Sequence, residues 1–375
     1  MRLRQALSLL ILAAVSGCTN PLATPPAANY TYNGTASVGD FLTIVVNPTA
    51  LTITYTNLTN GDTGTVPYTV NTDGSYAITD TKGNLISAYE IPGYALVIQS
   101  AKSGPDHNTA ALITAVESGP ITLSGFANHS YNYTSFRTAA GGVEVGTVTI
   151  GATSGTNSSY WPYGSFNQGS GGPFNTGTLD FSGMVEGSTG TYISGPDGGG
   201  GSDTIFGTAS GFFIVDTQNG SIIGLPKAAT SAFDPSVAGT YNGIFYEKDN
   251  ASTGQGNVET GTPSTGKMTV VITAGANITV TDSQGNTIAN AALTPVAQAS
   301  WLYGNGSDGK LTDPCNGLFA FRAVTSSYEH DVFVTFVGNS VVFSKFSAAL
   351  PWNGINGNSN GVYSYWYGVG LKQAQ

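Results

Sequence analysis

The residues able to do chemistry in this 375-residue chain are few and scattered. Its three histidines, His107, His129 and His330, form no HxH or HExxH pattern and no Cys/His zinc spacing. Each therefore reads as a surface or strand-end residue rather than a metal ligand, and no cofactor is expected. Gly357-Asn358-Ser359-Asn360-Gly361 formally matches the G-x-S-x-G nucleophile elbow. That elbow needs a strand before it and a helix after it to hold the serine on a strained turn. Here an Asn/Gly loop leads into a strand-like run, so the segment reads as a loop. A glycosidase would set two carboxylates roughly 5–9.5 Å apart across a cleft. Glu186, Glu247, Glu259 and Glu329 are available, but no spacing brings two of them together. Asp197-Gly198 and Asp308-Gly309 read as hairpin turns, since no twelve-residue calcium-loop spacing surrounds them.

Aromatic side chains are the remaining candidates. Tyr160, Trp161 and Tyr163 lie in the uncharged stretch 152–177, and Trp301 and Tyr303 lie beside another Gly/Asn/Ser loop. Flat rings flanked by amides and hydroxyls suit a sugar, whose apolar C–H face stacks while its hydroxyls are read by hydrogen bonds. These five residues are the ligand-binding candidates. The alternative reading is that they fold back as lids on the ends of β-barrels. Cys315, in Asp313-Pro314-Cys315-Asn316-Gly317, has no basic neighbour in sequence and reads as an inert, partly buried thiol.

The elements that must position these residues are strands. Only 9% of the chain is charged, against roughly 25% in an ordinary soluble domain. Hydrophobic residues make up 40%, enough to bury a core, so disorder by composition is excluded. No long segment repeats apolar residues at helical spacing. Short alternating runs such as Phe41–Asn47, Leu51–Asn57, Val66–Thr72 and Val332–Val337 recur instead. Asn60-Gly61, Asp73-Gly74 and Asn219-Gly220 punctuate them as hairpin turns. The expected fold is all-β: antiparallel meanders forming small barrels or sandwiches. In general shape alone it resembles lipocalin-like or avidin-like barrels, that is, calycins, whose motifs are absent.

A weak internal repeat divides the chain. Tyr32-Asn33-Gly34, Tyr131-Asn132-Tyr133 and Tyr241-Asn242-Gly243 each open an aromatic-rich strand. From the Asn to a later hairpin turn (Asn33 to Gly119, Asn132 to Asn219, Asn242 to Gly338) the spacing is 86, 87 and 96 residues. Three related β units are expected at 29–128, 129–234 and 235–375, the first two open to reading as one domain. The last strand of the third unit is expected to pair with its first and close a barrel.

The N-terminus, MRLRQALSLLILAAVSGCTN, has a basic start at Arg2 and Arg4 and an apolar run over Ala6–Val15, too short to span a bilayer. It reads as an export signal. Val15-Ser16-Gly17-Cys18 resembles the lipobox of bacterial lipoproteins. The resemblance implies cleavage after residue 17, lipidation of Cys18, and a tether over 18–28. Thr19 in place of Asp resembles lipoproteins sorted to an outer membrane. Cys315 is then left without an intrachain disulfide partner. Loss of Arg2 and Arg4 leaves 10 basic against 22 acidic residues, a net charge of −12. Such a chain is not built to neutralise phosphates, so nucleic acid is excluded as a partner. The membrane is met through lipid, and an extracellular glycan or an envelope protein is the expected ligand. The leading expectation is therefore a non-enzymatic, lipid-anchored envelope or surface protein with a binding or adhesion role. A structural or assembly component, a hydrolase of an extracellular polymer, and a barrel holding a small apolar ligand are the alternatives.

Overall fold

The computed structural model describes residues 28–79, 85–100, 110–137, 144–160, 174–196, 201–208, 211–217, 220–249, 262–299, 311–349 and 362–373. Among them the fold is all-β and antiparallel, in three sheets. The first is a closed barrel of β1 (Tyr30–Ala36), β2 (Phe41–Asn47), β3 (Thr52–Asn57), β4 (Thr63–Val70), β5 (Tyr76–Thr79), β6 (Leu85–Ile91), β7 (Ala95–Ser100) and β8 (Ala111–Glu117). One helical turn, Leu123–Phe126, is capped by the Thr122 hydroxyl and leads into the second sheet. This comprises β9 (His129–Arg137), β10 (Glu144–Ile150), β11 (Ser154–Tyr160), β12 (Phe174–Asp180), β13 (Val185–Glu186), β14 (Ile193–Pro196), β15 (Ser202–Gly207), β16 (Phe213–Thr217) and β17 (Gly220–Pro226). The third holds β18 (Gly239–Asp249), β19 (Thr262–Ile272), β20 (Asn277–Asp282), β21 (Thr287–Ala292), β22 (Thr294–Pro295), β23 (Leu318–Val324), β24 (Tyr328–Val337), β25 (Ser340–Ala349) and β26 (Val362–Lys372).

In every sheet the last strand pairs with the first: Val116 opposite Asn33, Leu225 opposite Asn132, and Leu371 opposite Asn242. In unit 1 the meander closes on itself. In units 2 and 3 this pairing lies mid-sheet, and β12/β13 and β21/β22 form the two edges of a seam, which corrects the expectation that pairing of the last strand with the first closes unit 3 into a barrel. The seam strands β13 and β22 are two residues long, and Pro295 in β22 has no N–H to donate.

Each unit fills its own interior. Tyr32, Ile44, Val46, Ile53 and Leu96 do so in unit 1, Tyr131, Ile150, Ile193 and Phe213 in unit 2, and Tyr241, Val270, Phe319 and Phe343 in unit 3. A fourth cluster is drawn from all three units and contains Val97, Leu112 and Val116, Phe136, Ile223 and Leu225, and Ile244, Tyr365 and Leu371. The central strands are therefore buried on both faces. β8, Ala-Leu-Ile-Thr-Ala-Val-Glu, is a nearly continuous apolar run, as burial on two sides requires. The outer strand β2 alternates buried and half-buried positions, as a strand with one wet face does. Phe136 of unit 2 lies among three tyrosines of unit 3, with ring centroids 4.9 Å from Tyr246, 5.2 Å from Tyr365 and 5.7 Å from Tyr367.

Polar contacts repeat around this shared core. Asn33, Asn132 and Asn242 face outward from the opening strands. Each accepts from a threonine directly opposite on the second strand: Thr43 at 3.2 Å, Thr147 at 2.8 Å and Thr269 at 3.2 Å. Each donates to a backbone carbonyl of the next unit, Asn33 to Thr191 at 3.5 Å, Asn132 to Asn316 at 2.8 Å, and Asn242 to Asp73 at 3.4 Å. The accepting turns precede β14, β23 and β5, in each case the fourth strand from the end of its unit. The clasp thus runs from unit 1 to 2, 2 to 3 and 3 to 1, which gives a closed pseudo-threefold ring.

Asn132 is fully buried, so removing its amide leaves polar groups without their partner. Asn132→Ala should cost about 1–3 kcal/mol in urea unfolding. Asn33→Ala should cost less, because its inter-unit contact, at 3.5 Å against 2.8 Å, is the weaker of the two. Equal losses for the two variants would refute the clasp as the source.

At the boundary of units 1 and 2, Thr35 Oγ1 donates to Asp216 Oδ1 at 2.6 Å. Burial pushes the Asp216 carboxyl up to about 6; the Thr35 bond opposes this, and Asp40 and Asp203 add repulsion. Between about pH 4 and 6 the native chain holds a proton that the unfolded chain has released, so stability falls as pH rises through that window. Asp216→Asn should flatten the pH slope of the melting temperature there. An unchanged slope would remove Asp216 as its origin.

Candidate functional site

Of the five aromatic candidates, Tyr160 is 2% exposed. Its ring packs on Phe333 with centroids 5.4 Å apart, and its hydroxyl donates to Asp331 at 2.8 Å. It is a core residue, which corrects the expectation that it meets a ligand. On β11 it follows Thr156 and Ser158 on the outward side, but there unit 3 covers that side. Trp161, Tyr163, Trp301 and Tyr303 lie outside the described residues, as do Cys18, His107, Glu259 and the Gly357–Gly361 segment.

The carboxylates also sort by environment. Glu186 is exposed and accepts from the Leu123 N–H at 3.0 Å. Glu329 and Asp331 share a face of β24, but Arg322 pairs with both. Its guanidinium grips Asp331 with two bonds of 2.7 and 2.9 Å and reaches Glu329 at 3.1 Å. Asp331 is fully buried, so this pair is a structural network at the unit 2–3 boundary. Arg322→Met should destabilise the fold by about 3–5 kcal/mol, because it leaves a buried carboxylate uncompensated. Recovery of that loss in Arg322→Met/Asp331→Asn, read from denaturation midpoints, would separate charge burial from lost packing. His330 Nδ1 pairs with Ser347 Oγ at 2.7 Å. Among the described residues no group of three or more His, Cys, Asp or Glu is placed to hold a metal ion.

Two adjoining grooves are the concave features that gather polar groups. The larger, about 760 Å³, lies at the end of unit 2 between the Pro120–His129 segment and the chain leading to unit 3. Its floor is aromatic. Tyr131 stacks on Phe126 at 5.4 Å and meets Phe213 edge-on at 4.8 Å. Asn128, His129, Thr208, Lys227 and Asn316 supply polar groups around it. Asn128 takes a left-handed conformation (φ 64°), tolerated by Asn, while its N–H donates to the Ile150 carbonyl at 2.6 Å.

The smaller groove, about 480 Å³, lies on the outward face of β10, β11 and β12. Its walls are Thr147 and Thr149, Thr156 and Ser158, and Thr176 and Thr178, with Asn157 and Gly177 between them and Thr312 and Asp313 of unit 3 along one side. Period-two alternation puts these hydroxyls on one face. Ser158 Oγ pins the unit 3 segment by accepting from the Thr312 and Asp313 N–H groups at 3.1 and 3.3 Å. Beneath it Cys315 is fully buried, and burial pushes its thiol up to about 12, so it is an inert thiol.

The two grooves share a wall. Lys227, lining the first, pairs with Asp313, lining the second, at 2.7 Å. Ser130 in the first meets Thr149 in the second at 2.8 Å. They lie side by side at the unit 2–3 boundary and together offer hydroxyls, amides, one carboxylate and one ammonium. The stretches around the sequence-picked aromatics end in their walls: Ser158 precedes and Thr176 follows residues 161–173, and Thr312 follows residues 300–310. Sequence reasoning overlooked the threonine walls, although Thr147-x-Thr149, Thr156-x-Ser158 and Thr176-x-Thr178 carry the signal.

No protein-family model matches the chain, and no curated protein matches it in sequence. Among solved structures it is similar to two mutant forms of the vaccine antigen transferrin binding protein B from Haemophilus parasuis. The identities are 8% and 9%, over 93% and 94% of this chain and 77% of each of those, with TM-scores of 0.23 and 0.20. A luciferin-regenerating enzyme matches at 12% identity over 93% of this chain and 95% of that one, with a TM-score of 0.13. Likeness at this level carries nothing to the site.

Proposed function

We propose that this is a lipid-anchored bacterial envelope protein, displayed at an outer membrane or cell surface, that holds an extended glycan in the cleft between units 2 and 3 without cleaving it. The carrying observation is the cleft itself: two grooves side by side across the Lys227–Asp313 pair, lined by threonine, serine and asparagine with an aromatic floor. Hydroxyls and amides both donate and accept, which matches the mixed donor and acceptor edge of a sugar. The near-absence of charge across the chain favours a neutral polymer over a charged one. Cys18, through its resemblance to a lipobox cysteine, supplies the anchor.

Two tests follow. Cys18→Ala should abolish labelling by an alkyne fatty acid and release the protein from membranes; retained labelling would refute the anchor. On a glycan array, Thr149→Val/Thr178→Val should weaken binding about tenfold, a loss of roughly 1.4 kcal/mol, at unchanged melting temperature. Valine keeps the strand and removes only hydroxyls, so wild-type affinity in this variant would move the site elsewhere. Trp161→Ala and Trp301→Ala should weaken the same ligand.

A second reading, assembly by addition of a partner strand, is favoured by the seam of unit 2, where Leu179 is 37% and Val185 60% exposed. It predicts a stoichiometric partner in crosslinked membrane extracts, and recovery only as a monomer would count against it.

A further inference from the structure

The hydroxyl wall of the smaller groove is not peculiar to unit 2. Strand registers place six outward positions in equivalent places in every unit, starting from the clasp threonine on the second strand. In unit 2 they are Thr147 and Thr149, Thr156 and Ser158, and Thr176 and Thr178. In unit 1 the same positions hold Thr43 and Val45, Thr54 and Thr56, and Thr63 and Thr65. In unit 3 they hold Thr269 and Val271, Thr279 and Thr281, and Thr287 and Asn290. Val45, Val271 and Asn290 alone lack a hydroxyl. Each grid spaces its side chains about 4.8 Å apart across strands and about 6.8 Å along them.

What borders each grid differs. Beside the unit 2 grid the turn from unit 3 carries Asp313, fixed by Lys227 at 2.7 Å and by accepting from the Cys315 N–H at 2.7 Å. Beside the unit 3 grid the turn from unit 1 carries Asp73. It is fixed by Lys267 at 3.1 Å and accepts from the Ser75 N–H at 3.0 Å, the Ser75 hydroxyl at 2.6 Å and the Tyr89 hydroxyl at 3.1 Å. Its backbone carbonyl receives the clasp asparagine Asn242, placing it beside Thr269. Lys267 reaches it from β19, whereas Lys227 follows β17, so the same arrangement of a turn aspartate held by a neighbouring lysine is reached from different strands. Beside the unit 1 grid the turn from unit 2, Gly187-Ser188-Thr189-Gly190-Thr191-Tyr192, has no ionisable residue except the terminal phenol. There the hydroxyls of β3 and β4 also bond one another, Thr54 with Thr65 at 2.8 Å and Thr56 with Thr63 at 3.5 Å.

We infer that the unit 3 face, Thr269, Thr279, Thr281 and Thr287 with Asp73 of unit 1, is a second glycan site of the same class as the cleft on unit 2, and that the chain is bivalent for a neutral polysaccharide strand. The inference rests on the glycan reading of that cleft. Asp73 keeps 43% of its side chain exposed, so its carboxylate can exchange a protein donor for a sugar hydroxyl while the threonines donate and accept around it. Cross-strand pairing within the grid also occurs in unit 3, where Thr279 donates to Asn290 at 3.4 Å; unit 1 differs in having the grid without the carboxylate, so it is not a site. Two sites on one chain raise avidity for a polymer well beyond that for a short fragment.

The test is stoichiometry on the full-length protein in detergent, titrated calorimetrically with cellohexaose, maltohexaose and xylohexaose as separate neutral probes. Two equivalents per chain are expected for the probe that binds. Thr279→Val/Thr281→Val should leave one site at full affinity and weaken the other about tenfold, as should Thr149→Val/Thr178→Val, and the combined variant should weaken both. Thr54→Val/Thr65→Val should leave two. Asp73→Asn should lower affinity at the unit 3 site alone, about tenfold. One equivalent, weakened by changing unit 2 and untouched by changing unit 3, would overturn the second site and leave the cleft reading intact. Three equivalents, or loss on changing unit 1, would overturn the restriction to two. Failure of all three probes to bind the unaltered protein would count against the cleft reading itself and take this inference with it.

Discussion

Burial of the central strands on both faces is the constraint on which the rest of this structure depends. A small antiparallel barrel can satisfy itself with one apolar face turned inward and a wet face outward. Here β8, β17 and β26 also turn apolar side chains outward, and those residues reach water unless another unit covers them. Val116, Leu225 and Leu371 occupy equivalent positions beside the clasp asparagines, one from each unit. None of the three units can be removed without exposing the apolar faces of the other two. The units are thus three interiors around a fourth, shared core.

A shared apolar core alone would tolerate sliding of one unit on another, because hydrophobic burial is non-directional. The asparagine clasps supply direction. Each amide is held from one side by the threonine of its own unit and aimed at one carbonyl of the next. At half-buried to buried positions an unmatched amide costs more than a matched one gains, so register errors are penalised. The ring is not perfectly symmetric. Thr35, Thr134 and Ile244 stand at the next outward position, and only Thr35 meets a carboxylate, Asp216. The unit 2–3 boundary departs further, by adding the Arg322 network and the Lys227–Asp313 pair. The concave cleft lies at that boundary.

Much of the fold was legible in the sequence. The predicted all-β, antiparallel architecture is present, and turn glycines at Gly61, Gly74 and Gly285 take positive φ as Asn-Gly, Asp-Gly and Gln-Gly turns require. The Tyr-Asn openings of the repeat mark β1, β9 and β18, and their asparagines prove to be the clasps. The site was less legible. A strand's period of two tells which residues share a face, but not what covers that face. Tyr160 shows the difficulty: it shares the outward side of β11 with Thr156, which is exposed, yet unit 3 packs over it. Glu329 was visible as an acid, but Arg322 becomes its neighbour only through strand pairing. The threonine walls went unread because threonine is a common strand residue, and three hairpins must align before its hydroxyls form a surface.

The scarcity of charge follows from the same geometry. Strands buried on both faces have no position for lysine or glutamate unless it is paired, and where charge does enter, as at Arg322, it arrives with its counter-ions. The exposed faces of the outer strands could have carried charge and instead carry threonine. A β-branched hydroxyl side chain keeps the strand while staying wet, and it leaves a surface able to donate and accept at every position without an electrostatic field. Such a face also lacks the lysines that usually guard sheet edges. The fold meets that difficulty by joining each last strand to its first and by reducing the seam strands β13 and β22 to two residues. Low charge, matched threonine faces and near-closed sheets are therefore one solution, in which closing the sheets is what allows a surface to be built from neutral hydroxyls.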